Sequence, residues 1–190
     1  MINWFMAAKL GHDFLAEILR NGDLAVDGTM GNGHDTLLLA QLVGSQGKVY
    51  AFDIQEQAID NTRQRLVSQN LFDQRVKLIH DGHQNIKHYI EHPIRAAIYN
   101  LGYLPGGDHG VITKTETTLI ALEHTLNLLS SGGRMVIVVY PGHPGGQQEK
   151  EAVEQMVSQL DSLHYKVLKM TLVNRPPSAP GVVLIEKVRE

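Results

Sequence analysis

No cysteine occurs among the 190 residues. Disulfides and thiolate metal sites are therefore excluded, and a reducing, cytoplasmic compartment is the expectation. No apolar run is long enough to span a bilayer, so no membrane partner is expected. A basic excess is missing as well. The 17 Lys and Arg against 20 Asp and Glu leave a net charge of -3. That argues against a strongly basic nucleic-acid coat and leaves room for a local patch. Repeats, charge blocks and low-complexity segments are absent. The opening "MINWFMAAKLGHDFLAEILR" has neither a basic start nor a small-residue cleavage site. With Lys9 and Asp13 in and beside its apolar part, it reads as an N-terminal helix over residues 1–21 and not as a signal peptide. Ten histidines are many for this length. Their spacings, including His80/His83, His88/His92 and His109, match no metal-ligand pattern, and no metal is expected.

What is present is ordinary for a soluble globular chain: 43% hydrophobic and 19% charged residues,. The length suits one domain, residues 1–190, with one well-buried core. Apolar segments alternate in character. "DLAVDG" reads as a strand and "HDTLLLAQLV" as a helix. "KVYAFDI" is a second strand. "QEQAIDNTRQRLVSQN" is a second helix, with Ile59, Leu66 and Val67 on related faces. "RVKLIHDG" and "RAAIYNLG" are further strands. "TKTETTLIALEHTLNLL" begins on an apparent capping box, Thr113 with Glu116, and ends at Gly132-Gly133. "RMVIVVYPG" is the most apolar strand, which predicts a central place. "QQEKEAVEQMVSQL" carries Val153, Met156, Val157 and Leu160 at helical spacing,. "YKVLKMTLVN" and "GVVLIEKV" are joined only by "RPPSAP", too short for a parallel crossover. They predict an antiparallel terminal hairpin over residues 164–190. The sum is an α/β fold of five strand–helix units and a hairpin, with a mostly parallel sheet and helices on both faces. Ligands on such sheets bind at the carboxyl ends of the strands. Residues 27–33, Asp53, residues 81–83 and residues 100–108 should therefore meet along one edge.

The first of these loops, "VDGTMGNGHDT", turns on Gly28, Gly31 and Gly33 between a strand and a helix. Glycine permits the bend and a close ligand approach, and the helix start offers free N–H groups. A dinucleotide fingerprint, G-x-G-x-x-G, would need glycine where Thr36 stands. The strand-end Asp27 sits badly beside a pyrophosphate. It suits a ligand with a positive amino group, and S-adenosylmethionine (SAM) has one, with a sulfonium and no phosphate. Asp53, 20 residues past Gly33, is placed to accept both ribose hydroxyls; NAD and SAM sites share that feature. In "HDGHQNI", Asp81 is a candidate for the adenine amino group, with His83 or Gln84 near the ring. "NLGYLPGGDH" is the most unusual segment. Asn100 and the following carbonyl are suited to hold an amine with its lone pair aimed at a methyl group. Tyr140 and His143 of "YPGHPGGQQE" border the same pocket. Arg175 lies in the Pro-stiffened "VNRPPSAPG", suited to a phosphate or to the partner subunit of a homodimer.

Four stretches, "VDGTMGNGHDTLLLA", "AFDIQ", "IYNLGYLPGGDH" and "NRPPSAPGVVLIEK", resemble the small bacterial SAM-dependent methyltransferases of the YtqB/MnmM type, long labelled rRNA methylases. The resemblance covers nearly the whole chain, and NLGYLPGGD is its specific part. It implies the Rossmann-like class I methyltransferase fold: a seven-stranded, mostly parallel sheet with an antiparallel C-terminal strand. On the matching positions it implies SAM contacts from Asp27, Thr29, Met30, Gly31, Asn32, Gly33, Asp35, Thr36, Asp53, Ile54, Gln55 and Asn100, beside the Asp81, Gly82 and His83 turn. The catalytic candidates are Asn100, Leu101, Tyr103 and Asp108. The substrate candidates are Pro105, His109, His143 and Arg175. The implied reaction is N-methylation of 5-aminomethyl-(2-thio)uridine at the tRNA wobble position, leaving S-adenosylhomocysteine (SAH). Three alternatives stand beside it: an rRNA methyltransferase, an NAD-dependent oxidoreductase, and a non-catalytic SAM- or RNA-binding module.

Overall fold

The computed structural model describes residues 7–108 and 110–188. In chain order the elements are α1 (Ala7–Ala16), β1 (Leu24–Asp27), α2 (His34–Val43), β2 (Lys48–Asp53), α3 (Glu56–Ser68), β3 (Val76–His80), a short 3-10 helix (His83–His88), β4 (Ile94–Leu101), α4 (Thr115–Leu128), β5 (Leu129–Val139), α5 (Gly146–Ser158), β6 (Tyr165–Met170) and β7 (Gly181–Lys187). They form one seven-stranded sheet in the order β3-β2-β1-β4-β5-β7-β6. Strands β1 to β5 pair in parallel. Strand β7 runs antiparallel to both β5 and β6; β6 ends at Met170, ahead of the expected residue 174, and the connection over 171–180 is still too short for a parallel crossover,.

The near-continuous apolar strands follow from burial on both faces. Along β5, Met135, Ile137 and Val139 join one core with Tyr99, Leu122 and Val153, on the side of α4 and α5. Val136 and Val138 join the other, with Leu15, Leu39 and Leu66 from α1, α2 and α3. Successive side chains of a strand point to opposite faces, so one run of residues fills two cores. Strand β4 holds the middle of the sheet. The expected centre, β5, is interior but one place off, because β7 and β6 extend the sheet beyond it.

Several local expectations change. The third crossover is the 3-10 helix and no full α-helix. On α3, Ile59 and Leu66 are buried, whereas Val67 is 56% exposed and faces outward. Helix α4 stops at Leu128, ahead of the Gly132-Gly133 pair, which lies in an irregular start of β5. The capping box is not formed. Lys114 is the cap residue without a side-chain bond, and the Thr113 hydroxyl donates to Glu149 at 2.7 Å. Glu149 also accepts from Thr118 at 2.6 Å. A buried carboxylate that needs two donors outcompetes the local cap.

Of the N-terminal helix expected over 1–21, residues 7–16 are helical and residues 17–21 are turn and loop; residues 1–6 lie outside the described part. No helix of the described residues is long and apolar enough to cross a membrane.

Candidate active site

Parallel pairing brings the ends of β1, β2, β4 and β5 to one edge. Asp27 is in register with Ala51 and Ile98, and Asp53 with His80. The loops after these strands therefore converge, as expected for this class of sheet. The glycine turn is held from below. Gly31 and Gly33 have positive φ, 50° and 77°. At Gly33 a side chain would also collide: its Cβ would lie 2.8 Å from the Thr62 Cα on α3. Helix α3 braces the turn further. The Thr62 hydroxyl donates to the Gly31 carbonyl at 3.1 Å, and Arg65 Nε donates to the Asn32 carbonyl at 2.6 Å.

Asp27 is fully buried. Its Oδ2 accepts the Thr36 hydroxyl at 2.6 Å and its Oδ1 the Thr29 amide at 3.2 Å. Burial, with the nearby Asp35 adding to it, pushes its pKa up to about 8,. Both oxygens thus clasp the turn from inside. Asp53 accepts the Gly31 amide at 3.1 Å and the Gln55 amide at 3.0 Å. Burial raises its pKa in spite of those donors. Beside it Ile54 is 56% exposed, an apolar platform at the rim. Met30 is buried and packs with Leu104 of the fourth loop.

Asn100 is fixed from two sides. Its backbone amide donates to the Thr29 hydroxyl at 2.7 Å, and its side-chain Nδ2 donates to Asp35 Oδ2. The other Asp35 oxygen accepts from His12 Nε2 of α1. His12 had no sequence signal: it lies 23 residues before Asp35, in a helix that only packing brings to this edge. Leu101, the last residue of β4, is fully buried and in register with Val139 of β5.

The third loop is more inward than its sequence suggests. Asp81 accepts from Gly82, Asn85 and Tyr89 at 2.7, 2.9 and 2.8 Å. Burial opposes its charge, but these donors outweigh it, and its pKa is lowered. Asp81 thereby organises the 3-10 helix. His83 is 9% exposed, donates Nδ1–H to the Gly28 carbonyl at 3.0 Å and meets the edge of Tyr99. Burial lowers its pKa, so it is a neutral support beneath the glycine turn.

The fourth loop closes over the edge. The Asn32 side chain donates to the Pro105 carbonyl at 3.0 Å, the Thr113 amide donates to the Gly102 carbonyl at 2.8 Å, and Tyr103 bridges to Ile112. Asp108 Oδ1 accepts the Gly110 amide at 2.8 Å, an exposed turn. His109 lies outside the described residues. Tyr103 is 43% exposed and Tyr140 38%, with His143 edge-on to Tyr103. His143 donates Nδ1–H to the Pro144 carbonyl at 3.0 Å, and its buried Nε2 has no partner among the described residues. The hairpin tip joins this end, since Gly181 pairs with Val139 and Lys150 donates to the Pro177 carbonyl at 3.2 Å. Arg175 is exposed on that tip.

The turn thus gathers three carboxylates, and Asp27 feels both Asp35 and Asp53. A pyrophosphate would be repelled there, whereas an ammonium and a sulfonium would relieve the mutual repulsion. The donor set fits SAM. Among the described residues no cluster of three or more His, Asp or Glu is arranged to hold a metal.

Comparison with known proteins agrees with this chemistry. Residues 49–186 match the family described as "Putative rRNA methylase". The chain is 37% identical, over 95% of its length and 69% of the relative's, to the chloroplastic tRNA (mnm(5)s(2)U34)-methyltransferase of Arabidopsis thaliana. It superposes with a TM-score of 0.92 on a crystal structure from Clostridium thermocellum described as a putative rRNA methylase. That pair is 44% identical over 95% of this chain and 97% of the other. With a methyltransferase from Streptococcus mutans in complex with SAH the TM-score is 0.88, at 46% identity over 98% and 99% of the two chains. An edge of carboxylates suited to a sulfonium, on a sheet shared with these enzymes, makes this chain a SAM-dependent methyltransferase that belongs to the rRNA methylase family.

Proposed function

We propose that this enzyme N-methylates 5-aminomethyl-(2-thio)uridine at the wobble position of tRNA, giving the 5-methylaminomethyl form. The observation that carries the reading is the Asn100 side chain, tied through its nitrogen to Asp35 at the carboxyl edge. Its oxygen is left to accept an N–H from the substrate. The Arabidopsis relative, named for a tRNA wobble methyltransferase, supports the RNA class.

SAM supplies the methyl group. The residues of the chain bind, orient and desolvate. In this reading Asp53 accepts the ribose hydroxyls, Ile54 covers the adenine, and the backbone around Gly31 and Gly33 admits the cofactor closely. Asn100 Oδ1 and the Leu101 carbonyl accept from the amine, so that its lone pair faces the methyl group. Tyr103, Tyr140 and His143 border the nucleobase, and Pro105 and Asp108 shape the entrance. An aliphatic amine has a pKa of roughly 10 in water and is mostly protonated near neutrality. Desolvation at this edge lowers that value and frees the lone pair. With SAM bound, its methyl would pass from sulfur to this nitrogen, leaving SAH, and the surplus amine proton would leave to water. A cytoplasmic site of action and a homodimer belong to the same reading. The cysteine-free sequence supports the first, and the exposed Val167 and Leu168 on edge strand β6 support the second,.

The test is methyl transfer from labelled SAM to wobble-aminomethylated tRNA, run beside tRNA lacking that group and beside ribosomal RNA. Labelling confined to the aminomethylated tRNA, rising with pH as more amine is neutral, is expected. Labelling of ribosomal RNA alone would establish the activity that the family's description suggests and end the wobble reading.

A further inference from the structure

Helix α1 belongs to neither the glycine turn nor the fourth loop, yet its His12 bonds Asp35, which in turn holds Asn100 at the end of β4. It lies directly on β5 because its middle residue is glycine. A Cβ at Gly11 would fall 2.6 Å from Val136 Cγ1. Arg134 clamps the helix there, donating to the Phe14 carbonyl and to Glu17, each at 2.7 Å, with its guanidinium 4.2 Å from the centre of the Phe14 ring. This close seat carries His12 to Asp35. The Asp35 carboxylate then sits between two donors, His12 Nε2–H on one oxygen and Asn100 Nδ2–H on the other. Its side chain is only 12% exposed.

We infer that His12 and Asp35 are positioning residues that set the orientation of the Asn100 amide. A side-chain amide can present oxygen or nitrogen to its surroundings, and the two faces have opposite hydrogen-bonding character. Asp35 accepts only, so it selects the nitrogen and turns Oδ1 outward. Among the described residues nothing donates to that oxygen, which is the acceptor an amine substrate needs. His12 keeps the Asp35 carboxylate in its rotamer by occupying the oxygen that Asn100 does not use. Sequence spacing gives no hint of this hydrogen-bonded chain, because its three members stand at positions 12, 35 and 100 in separate elements.

The inference rests on Asn100 as the amine-orienting residue, and the two are separable. Asp35→Asn can donate to the Asn100 oxygen, so it should invert the amide. It is expected to lower kcat, measured at saturating SAM, at least tenfold, the scale of one lost bond to a charged group. His12→Ala should lower kcat in the same sense by a smaller factor. His12→Gln, which retains an N–H donor, should recover most of it. In the ligand-free protein the Asn100 side-chain amide resonances should shift in Asp35→Asn and His12→Ala and return toward wild type in His12→Gln. Full activity in Asn100→Ala would sink the proposed role of Asn100. An inactive Asn100→Ala beside fully active Asp35→Asn and His12→Ala, with unmoved amide resonances, would overturn the positioning chain alone. A weakened SAM affinity in Asp35→Asn without loss of kcat would make Asp35 a cofactor ligand and overturn it too.

Discussion

The side-chain amide of Asn32 donates to the carbonyl of Pro105, 3.0 Å away and 73 residues later in the chain. This bond ties the glycine turn to the loop after β4, above the packed pair Met30 and Leu104. Asn32→Ala should leave the fold intact, because Leu104 stays buried. The variant also loses the bond that Asn32 Oδ1 accepts from Asn61 at 2.8 Å; the bond to the fourth loop alone is worth about 1 kcal/mol, so KM for the RNA at saturating SAM should rise by roughly fivefold, with kcat little changed. Steady-state kinetics measures this. A fall in kcat at constant KM would place Asn32 in the reaction instead.

Gly33→Ala should be the more costly change in the turn. Its φ of 77° disfavours any side chain, by about 1–2 kcal/mol. The new Cβ would also press on the Thr62 Cα at 2.8 Å, and overpacking costs a further ~1–3 kcal/mol. Gly31→Ala meets nothing nearer than Leu104 Cδ1 at 3.5 Å and should show only the conformational part. Urea unfolding of the two variants separates the terms. Equal losses would show that α3 yields freely.

Stability of the ligand-free enzyme should fall between about pH 4 and pH 8. Asp27 has its pKa raised from 3.8 to about 8, chiefly by burial. The folded state then holds a proton that the unfolded chain releases across this window. The associated stability is complete below the unfolded pKa and lost as pH rises through the folded one. Asp27→Asn, which cannot ionise, should lose this pH dependence and gain on wild type at pH 8 relative to pH 5. An unchanged difference between the two proteins at both pH values would contradict a buried, protonated Asp27.

Asp53→Ala should weaken SAM and SAH binding by about tenfold or more, since bonds to a charged acceptor are worth about 1.5–3 kcal/mol. It also releases the Gly31 and Gln55 amides. Calorimetry should show this loss together with no NAD binding by wild type. NAD binding tighter than SAM would reverse the reading of the three carboxylates.

For RNA binding, Arg175 should matter more than Lys166 or Lys169. Arg175 is exposed on the hairpin tip at the edge that holds the site. Lys166 lies at the opposite end of β6, and Lys169 is paired with Glu154 at 2.6 Å. Arg175→Ala should lower the slope of log affinity against log salt by slightly less than 1 if it meets one phosphate. An unchanged slope in Arg175→Ala, with a reduced one in Lys166→Ala, would move the RNA to the other end of the sheet.

The fold was legible from local pattern. Short apolar strands alternating with helices demand a parallel sheet, and a short Pro-rich link forbids a parallel final pair. The same logic located the loop edge, because every strand–helix turn of such a sheet emerges on one side. Periodicity reports only which residues are apolar at what spacing, so it missed whatever depended on competing partners. Thr113 looks like a cap, but the buried Glu149 claims its hydroxyl. Asp81 and His83 read from spacing only as candidate ligand contacts; that Asp81 also accepts from Asn85 and Tyr89, and that His83 donates to the Gly28 carbonyl, no spacing reports. His12 lies in the expected N-terminal helix and carried no signal of its own. Its place beside Asp35 depends on Gly11 letting α1 settle on Val136, a contact 125 positions apart that only the packed tertiary structure decides.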